Sequence, residues 1–188
     1  MPSNLNRLSK IAKFLISSNL SSPITLQDFH AKALADYGIN DCWPEAVLKE
    51  AKTKKENISK EQDVLETFPF VTIDGEDAKD FDDAIFCEFS DNGFHLKVAI
   101  ADVSFYVKEG SALDLEAAKR TTSVYMPKKV VPMLPEKLSN ELCSLQPNKR
   151  RRCLCIEMDF DKDGYIRSYK FHRGTVSYTH LTLPTKNG

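Results

Sequence analysis

The chain has 188 residues, which is enough for one ordinary domain with a hydrophobic core. Hydrophobic residues make up 41% of it and charged residues 28%, as in soluble globular proteins, and no apolar run reaches membrane-spanning length. The formal net charge is -1, so no global positive field attracts nucleic acid, and any such contact has to be local. The five cysteines include no CxxC pair and no secretory signal is evident, which predicts a reduced cytoplasmic protein with buried thiols.

Residues 1–36 have a helical pattern. After a first amphipathic stretch, Thr25 and Asp28 match a capping box that predicts a second helix through Ala35, and Gly38 ends it. Two helices with a short break are typical either of a helix-turn-helix reader of nucleic acid or of a helical hairpin packed on the main body. The second helix has no basic face, which favours the hairpin, and the role of this segment stays open.

The middle of the chain changes from helix to strand. Pro44 opens a third helix that passes into a mostly charged linker, so residues 37–66 are assigned to a helix and linker. The runs PFVTI, AIFCEF and FHLKVAIA then predict three strands. Asp91-Asn92-Gly93 lies between the last two runs and predicts a hairpin turn.

The remainder of the chain alternates helix, loop and hairpin. Ser111 with Asp114 predicts a helix through about Val124, and a stretch with three prolines then predicts an ordered loop. A short helix begins at Pro135, and a second hairpin turns at residues 161–164. Antiparallel hairpins with packed helices define an α+β fold, preceded by a small helical segment.

Residues 175–188 do not continue this pattern. They resemble the translated read-through of a sequencing adaptor, and we expect them to have no partner strand. They are therefore assigned to an artefact tail and excluded from the predicted fold.

The most unusual stretch lies between Thr72 and Ile85, where acidic residues are concentrated between apolar runs. Its carboxylates belong to Asp74, Glu76, Asp77, Asp80, Asp82 and Asp83. Carboxylates this close repel one another unless something positive lies among them. The stretch is therefore interpretable either as a site for multivalent metal ions or as a solvated acidic turn.

The spacing of these residues allows convergence on a cation. In an extended segment, Asp80 and Asp82 point to one side while Phe81 and Asp83 point to the other. Gly75 lets the chain turn tightly, so that the aspartate before it can fold back towards the others. Four carboxylates exceed the need of one Mg²⁺, which suits a two-metal site acting on a phosphodiester.

Other candidate residues have two interpretations each. Three cysteines and His172 match no common zinc spacing, so buried thiols are expected. Tyr125 is either a core aromatic beneath the proline-rich loop or a platform on which a base stacks. The lysines at 128–129 and the basic run 149–152 are placed to contact phosphates.

The acidic stretch TIDGEDAKDFDDAI closely resembles the catalytic signature of the ribonuclease II/ribonuclease R family, the RNB domain. Its GED-A-K-DFDDA form is similar to the ribonuclease R branch. The resemblance continues through VAIADVSFYV, TSVYMPKKVVPMLPEKLSNELCSL and FHRG, and covers roughly residues 37–174. It implies the N-terminal part of an RNB catalytic domain, truncated within the domain.

The resemblance also implies an activity and its residues. Members are 3′-to-5′ exoribonucleases that hydrolyse RNA to nucleoside monophosphates with Mg²⁺, starting from a single-stranded 3′ end. Tyr125 corresponds to the aromatic residue that stacks on the RNA 3′ end. The metal-binding and catalytic aspartates correspond to Asp74, Asp80, Asp82 and Asp83.

Several family features have no counterpart in this sequence. These are the cold-shock domains before the catalytic domain, the catalytic arginine, a second stacking aromatic and a C-terminal RNA-binding barrel. We therefore expect a fragment that is inactive alone, and the alternative is a non-catalytic RNA- or metal-binding module. No membrane or protein partner is indicated. The expected divisions are a helical segment at 1–36, a helix and linker at 37–66, part of an RNB domain at 67–174 and the artefact tail at 175–188.

Overall fold

The computed structural model describes residues 25–58, 63–65, 68–75 and 78–177. The amphipathic stretch before Thr25 and the acidic residues Glu76 and Asp77 lie outside these ranges. The chain divides into two compact units. The smaller unit contains described residues 25–42 and 126–129, and the larger unit contains the described residues of 43–125 and 130–177.

Helix α1 of the smaller unit, Leu26–Tyr37, begins where its sequence indicates. The Asp28 carboxylate accepts from the backbone N–H of Thr25 at 2.8 Å, and the Thr25 hydroxyl accepts from the backbone N–H of Asp28 at 3.3 Å. The predicted capping box is therefore confirmed. Gly38 has a left-handed φ of 65° and terminates the helix, two residues beyond the predicted Ala35.

The helices of the larger unit are short. They are α2 (Glu45–Thr53), α3 (Val103–Tyr106), α4 (Ala112–Arg120) and a π-helical turn (Lys137–Leu142). The prediction that α4 reaches Val124 is wrong, because Thr121 adopts a φ of 70° that a helix does not tolerate. Within the described ranges, no helix is long and apolar enough to cross a membrane.

A five-stranded sheet forms the body of the larger unit. Its strands are β1 (Asp63–Val64), β2 (Asp83–Ser90), β3 (Gly93–Ala101), β6 (Arg151–Asp161) and β7 (Ile166–Val176), in the order β1-β7-β6-β3-β2. Both predicted hairpins, β2–β3 and β6–β7, are confirmed as antiparallel pairs. The predicted PFVTI strand is reduced to an isolated bridge between Val71 and Ile85. β4 (Val124–Met126) and β5 (Lys129–Val131) form a separate two-stranded sheet, where a loop was predicted.

The turn between β2 and β3 requires glycine. Gly93 has a φ of 156°, and a Cβ atom there would lie 1.9 Å from the backbone oxygen of Phe160 on β6. Any side chain at position 93 would push β3 and β6 apart, which explains the glycine where the predicted turn enters β3.

Strand β7 extends into the stretch that was expected to have no partner. Thr175 pairs with Arg152 and Val176 with Arg151, and both β7 residues are fully buried. The expectation of no partner strand is therefore wrong for these two positions, whose backbone groups complete the β6–β7 ladder. Residues 178–188 lie outside the described part of the chain.

The hydrophobic core lies between one face of the sheet and the helices of the larger unit. Ala84, Ala99 and Cys155 occupy one cross-strand row of that face, and each is completely buried. Against them pack Val47 of α2, Leu113 of α4 and further apolar residues from the π turn. These contacts remove apolar surface from water and hold the sheet and helices together.

The cysteines divide into buried and exposed groups. Burial raises the pKa of Cys143 and Cys153 to about 12 and that of Cys155 to about 11, so all three stay protonated at neutral pH. Cys42 and Cys87 are exposed, so the expectation of buried thiols is wrong for these two.

The opposite face of the sheet is apolar and exposed. Three of its aromatic residues, Phe89, Tyr169 and Phe171, are 86%, 67% and 58% exposed. The apolar side chains of this face are exposed or half-buried, and the charged Asp83 and Arg173 lie on the same face. The apolar ones come from four strands: Ile85, Phe89, Phe94, Leu96, Val98, Ile100, Leu154, Ile156, Met158, Tyr169 and Phe171. At about 4.8 Å between strands and about 3.3 Å per residue, the face measures roughly 500 Å², a size at which exposed apolar patches mark contact surfaces.

We expect the isolated chain to self-associate through this face. Phe171→Thr keeps a residue suited to strands but removes an exposed ring, so it should lower binding of the dye ANS and shift sedimentation towards monomer. Lys170→Thr alters the adjacent exposed residue on the other side of the strand and should change neither measurement. A wild-type chain that is monomeric and does not bind ANS would contradict the prediction.

Candidate functional site

The acidic stretch folds as an irregular loop that leads into β2. We call described residues 74–75 and 78–83 the acidic loop. The backbone N–H of Ala78 donates to the backbone oxygen of Gly75 at 3.0 Å. Gly75 has no left-handed φ, and a Cβ atom there would meet open space. The backbone conformation at position 75 therefore does not require a glycine.

Two backbone hydrogen bonds connect the acidic loop to the rest of the larger unit. The N–H of Leu145 donates to the oxygen of Phe81 at 2.8 Å, and the N–H of Ala101 donates to the oxygen of Asp82 at 2.9 Å. The Phe81 ring packs against the hydrophobic core, while Asp82 is exposed. The loop is therefore anchored by one aromatic ring and its backbone, and its carboxylates stay accessible.

Strand alternation does not describe this loop. It placed Phe81 and Asp83 on the same side, but Phe81 packs against the core and Asp83 pairs with Ile100, whose side chain lies on the exposed face. Residues 78–82 are not extended strand, since their hydrogen bonds go to separate parts of the chain, and regular alternation begins only at β2.

The carboxylates influence one another. Protein atoms around Asp82 displace part of its hydration even though the residue is exposed, and this raises its pKa; the charges of Asp80, Asp83 and Asp74 raise it further. Desolvation, followed by the charges of Asp83 and Asp80, raises the pKa of Asp74 in the same way. The structure thus brings the four predicted aspartates close enough to repel one another.

Tyr125 lies at this acidic loop. Its hydroxyl donates to the Asp80 carboxylate at 2.8 Å, and the residue is 66% exposed, so the interpretation as a core aromatic is wrong. That hydrogen bond, with partial burial and the charges of Asp80 and Asp82, raises the pKa of Tyr125 and keeps its hydroxyl protonated. An aromatic face and the carboxylates therefore occupy one region of the surface.

The donor chemistry of the loop suits a hard divalent cation. All its candidate ligands are carboxylates, and the charges that raise the pKa of Asp74 and Asp82 all belong to other aspartates. In the ranges that the structure describes, no three His, Cys, Asp or Glu side chains are already arranged as a metal site. Within the same ranges, the cysteines and His172 are not arranged as a zinc site either.

Several of the six basic residues expected to contact phosphates have hydrogen-bond partners within the protein. Arg151 is buried and donates to the Glu56 carboxylate at 2.5 Å, and Arg152 is buried and donates to the backbone oxygen of Asn57. Lys129, in the smaller unit, donates to the Asp41 carboxylate at 2.7 Å. The sequence shows where basic residues cluster, but it does not show which of them form ion pairs or hydrogen bonds within the protein.

Residues 62–182 match the family model described as the RNB domain. The chain belongs to the RNB-domain family. It is 49% identical over 148 residues to ribonuclease R of Acidithiobacillus ferrooxidans and 53% identical over 146 residues to ribonuclease R of Vibrio parahaemolyticus. A structure of Mycoplasma genitalium RNase R in complex with ribose-methylated single-stranded RNA is similar, with a TM-score of 0.74 and 36% identity.

These RNB proteins are much longer than the chain. The matches cover 77% and 75% of the chain but 34% and 17% of the two curated relatives, and 79% of the chain but 24% of the solved structure. They confirm the family and the mixed fold of helices and antiparallel sheet, of which this chain represents a part. The RNB match extends to residue 182 and therefore includes Thr175 and Val176 of β7.

Without divalent cations, Asp82→Asn should raise the melting temperature. The substitution removes a charge that its neighbours repel, and we expect a gain of about 1–3 °C because solvent weakens the repulsion at this exposed residue. The gain should disappear as the pH falls through the carboxyl range, since Asp82 then becomes neutral in the wild type too. Thermal unfolding followed by circular dichroism measures both effects.

Asp91→Asn is the matched control for this substitution. Asp91 is exposed in the β2–β3 turn, away from the acidic loop, and its replacement should leave the melting temperature unchanged. A lower melting temperature for Asp82→Asn would mean that the carboxylate stabilises the loop.

Proposed function

We propose that the chain contributes the acidic part of a Mg²⁺-dependent 3′-to-5′ exoribonuclease site that hydrolyses RNA to nucleoside monophosphates. The observation that carries the proposal is the hydrogen bond from the Tyr125 hydroxyl to the Asp80 carboxylate, at 2.8 Å. It joins an exposed aromatic ring to a group of mutually repelling carboxylates. The ring can stack on the base at an RNA end, and the carboxylates can bind metal ions beside it.

The aspartates are the proposed metal ligands. Asp74, Asp80, Asp82 and Asp83 would hold Mg²⁺, and their mutual repulsion would fall once positive charge lies among them. Bound Mg²⁺ would activate a water molecule and neutralise the negative charge that develops on the phosphodiester. The backbone bonds at Phe81 and Asp82 keep the loop in place while its carboxylates stay accessible.

Tyr125 is the proposed contact for the terminal base. Its hydroxyl is occupied by Asp80, which restrains the ring, and the 66% exposure of the residue leaves a face open. A base stacked on that face would lie next to the carboxylates, which suits cleavage at the end of a strand. Single-stranded RNA in the similar Mycoplasma complex supports RNA as the substrate class.

We propose that the chain alone hydrolyses RNA poorly. It spans 34% and 17% of the two curated relatives, and an exoribonuclease needs further groups to guide the strand and stabilise charge. The alternative is a non-catalytic RNA- or metal-binding module, which would bind RNA or the cation and cleave nothing. The two proposals differ in whether RNA is hydrolysed, so the deciding measurement is RNA hydrolysis by these residues within a full-length ribonuclease R.

Mg²⁺ should stabilise the chain. A cation that binds the folded loop but not the unfolded chain raises the melting temperature, and at about 100 times its dissociation constant we expect about 5–11 °C. Thermal unfolding at increasing MgCl₂ concentration, at constant ionic strength, measures the effect. Asp82→Asn should abolish the gain and Asp91→Asn should retain it. A gain that is equal in all three proteins would exclude Asp82 as a ligand.

A chimera tests the proposed reaction. Residues 37–174 would replace the matching segment of the Vibrio parahaemolyticus ribonuclease R, and a 5′-labelled single-stranded oligoribonucleotide with Mg²⁺ would be the substrate. We expect stepwise shortening from the 3′ end. Asp82→Asn in the chimera should lower the rate about 100-fold or more while RNA binding is retained, because a ligand carboxylate is lost and the RNA contacts are not.

Two results would contradict this proposal. A chimera that unfolds cooperatively and binds RNA but does not cleave it would favour the non-catalytic module. Cleavage by the Asp82→Asn chimera at the wild-type rate would show that Asp82 is not a metal ligand. The unmodified 188-residue chain, tested on the same substrate, should shorten it little or not at all.

A further inference from the structure

One hydroxyl, that of Ser144, holds the backbone on both sides of Asp80. Its Oγ donates to the backbone oxygen of Lys79 at 2.7 Å and accepts from the backbone N–H of Phe81 at 3.1 Å. These groups belong to the two peptide units that flank Asp80. Because each peptide unit is planar, fixing both restricts the φ and ψ of Asp80 and therefore the direction of its side chain.

Ser144 is itself fixed in position. It is completely buried, and its backbone oxygen accepts from the Nε of Arg151 at 3.1 Å. Arg151 is buried too, and its Nη1 also donates to the Glu56 carboxylate at 2.5 Å. The backbone of Ser144 is thus fixed by contacts outside the acidic loop. The two hydrogen bonds of its hydroxyl therefore cost little additional conformational entropy.

The π-helical turn at Lys137–Leu142 positions Ser144 beside the acidic loop. The N–H of Cys143 donates to the oxygen of Leu138 at 2.8 Å, a bond that spans five residues, and Ser144 follows immediately. A π turn carries one residue more than an α turn, which changes the side chain that faces a neighbouring segment. Such turns are rare and occur frequently at functional sites.

We propose that Ser144 is a positioning residue for Asp80, and through Asp80 for the acidic loop. The inference rests on the proposed function, in which Asp80 is a metal ligand. An alanine at 144 would fit the same space, but it could neither donate to Lys79 nor accept from Phe81. Asp80 would then be free to turn away from Tyr125 and from the other carboxylates.

Two measurements on the 188-residue chain test this role. In Ser144→Ala, exchange of the Phe81 amide hydrogen should become at least about tenfold faster, because that N–H loses its partner. The dissociation constant for Mg²⁺, measured by calorimetry, should rise about 10–100-fold, the range seen when groups that orient metal ligands are removed. Amides within β6, such as that of Ile156, should exchange at the wild-type rate.

Ser139→Ala is the matched control. Ser139 lies in the π turn, and its hydroxyl donates to the neighbouring Asn140 side chain and not to the acidic loop. It should change neither the Phe81 exchange rate nor the Mg²⁺ dissociation constant. If Ser144→Ala accelerates exchange equally throughout the sheet, or leaves Mg²⁺ affinity unchanged, the proposed role is wrong.

A second variant keeps the test decisive if Ser144→Ala does not fold. Ser144→Cys retains a group that donates and accepts weakly, so it should give intermediate Phe81 exchange and intermediate Mg²⁺ affinity; wild-type values for both would overturn the role. Wild-type chain that does not bind Mg²⁺ at all would contradict the proposed function instead. The Phe81 exchange rate would then still decide whether Ser144 fixes the loop.

Discussion

Mutual repulsion among four aspartates is the constraint on which the acidic loop depends. Left to itself, a flexible segment would separate Asp74, Asp80, Asp82 and Asp83, since each charge raises the free energy of the others. Hydrogen bonds to the loop backbone oppose this. They act on peptide groups, so the carboxylates stay accessible to a cation, although that of Asp80 also accepts from the Tyr125 hydroxyl.

The hydrophobic core supplies the groups that make those bonds. Ala101 lies at the end of β3, and Leu145 follows the π turn; both are buried, and their N–H groups point to the loop. The buried Arg151 supports the same region, since it donates to the exposed Glu56 carboxylate and to the backbone oxygen of Ser144. Loss of the Glu56 carboxylate would leave the buried Arg151 guanidinium with backbone oxygens as its hydrogen-bond partners, which is costly for a buried charge.

Local sequence patterns predicted the elements that depend on local chemistry. The capping box of α1 needs only Thr25 and Asp28, and β2 and β3 are joined by a two-residue turn at Asp91 and Asn92. Elements that depend on partners distant in sequence were predicted poorly. The PFVTI run pairs with β2 at Val71 alone. Two local features were also missed: the helix expected to reach Val124 ends at Arg120, and β4 and β5 pair where a loop was predicted.

The sequence by itself determined the family, the mixed helix and sheet content and the identity of the acidic residues, because these are recorded in residue type and spacing. Only the tertiary structure decided that Tyr125 contacts Asp80, that Arg151 and Arg152 are internal and that Ser144 holds the loop. The segments involved lie 45 or more residues apart along the chain. Which of a residue's possible partners it meets is set by how the sheet and helices pack, and no local pattern encodes that.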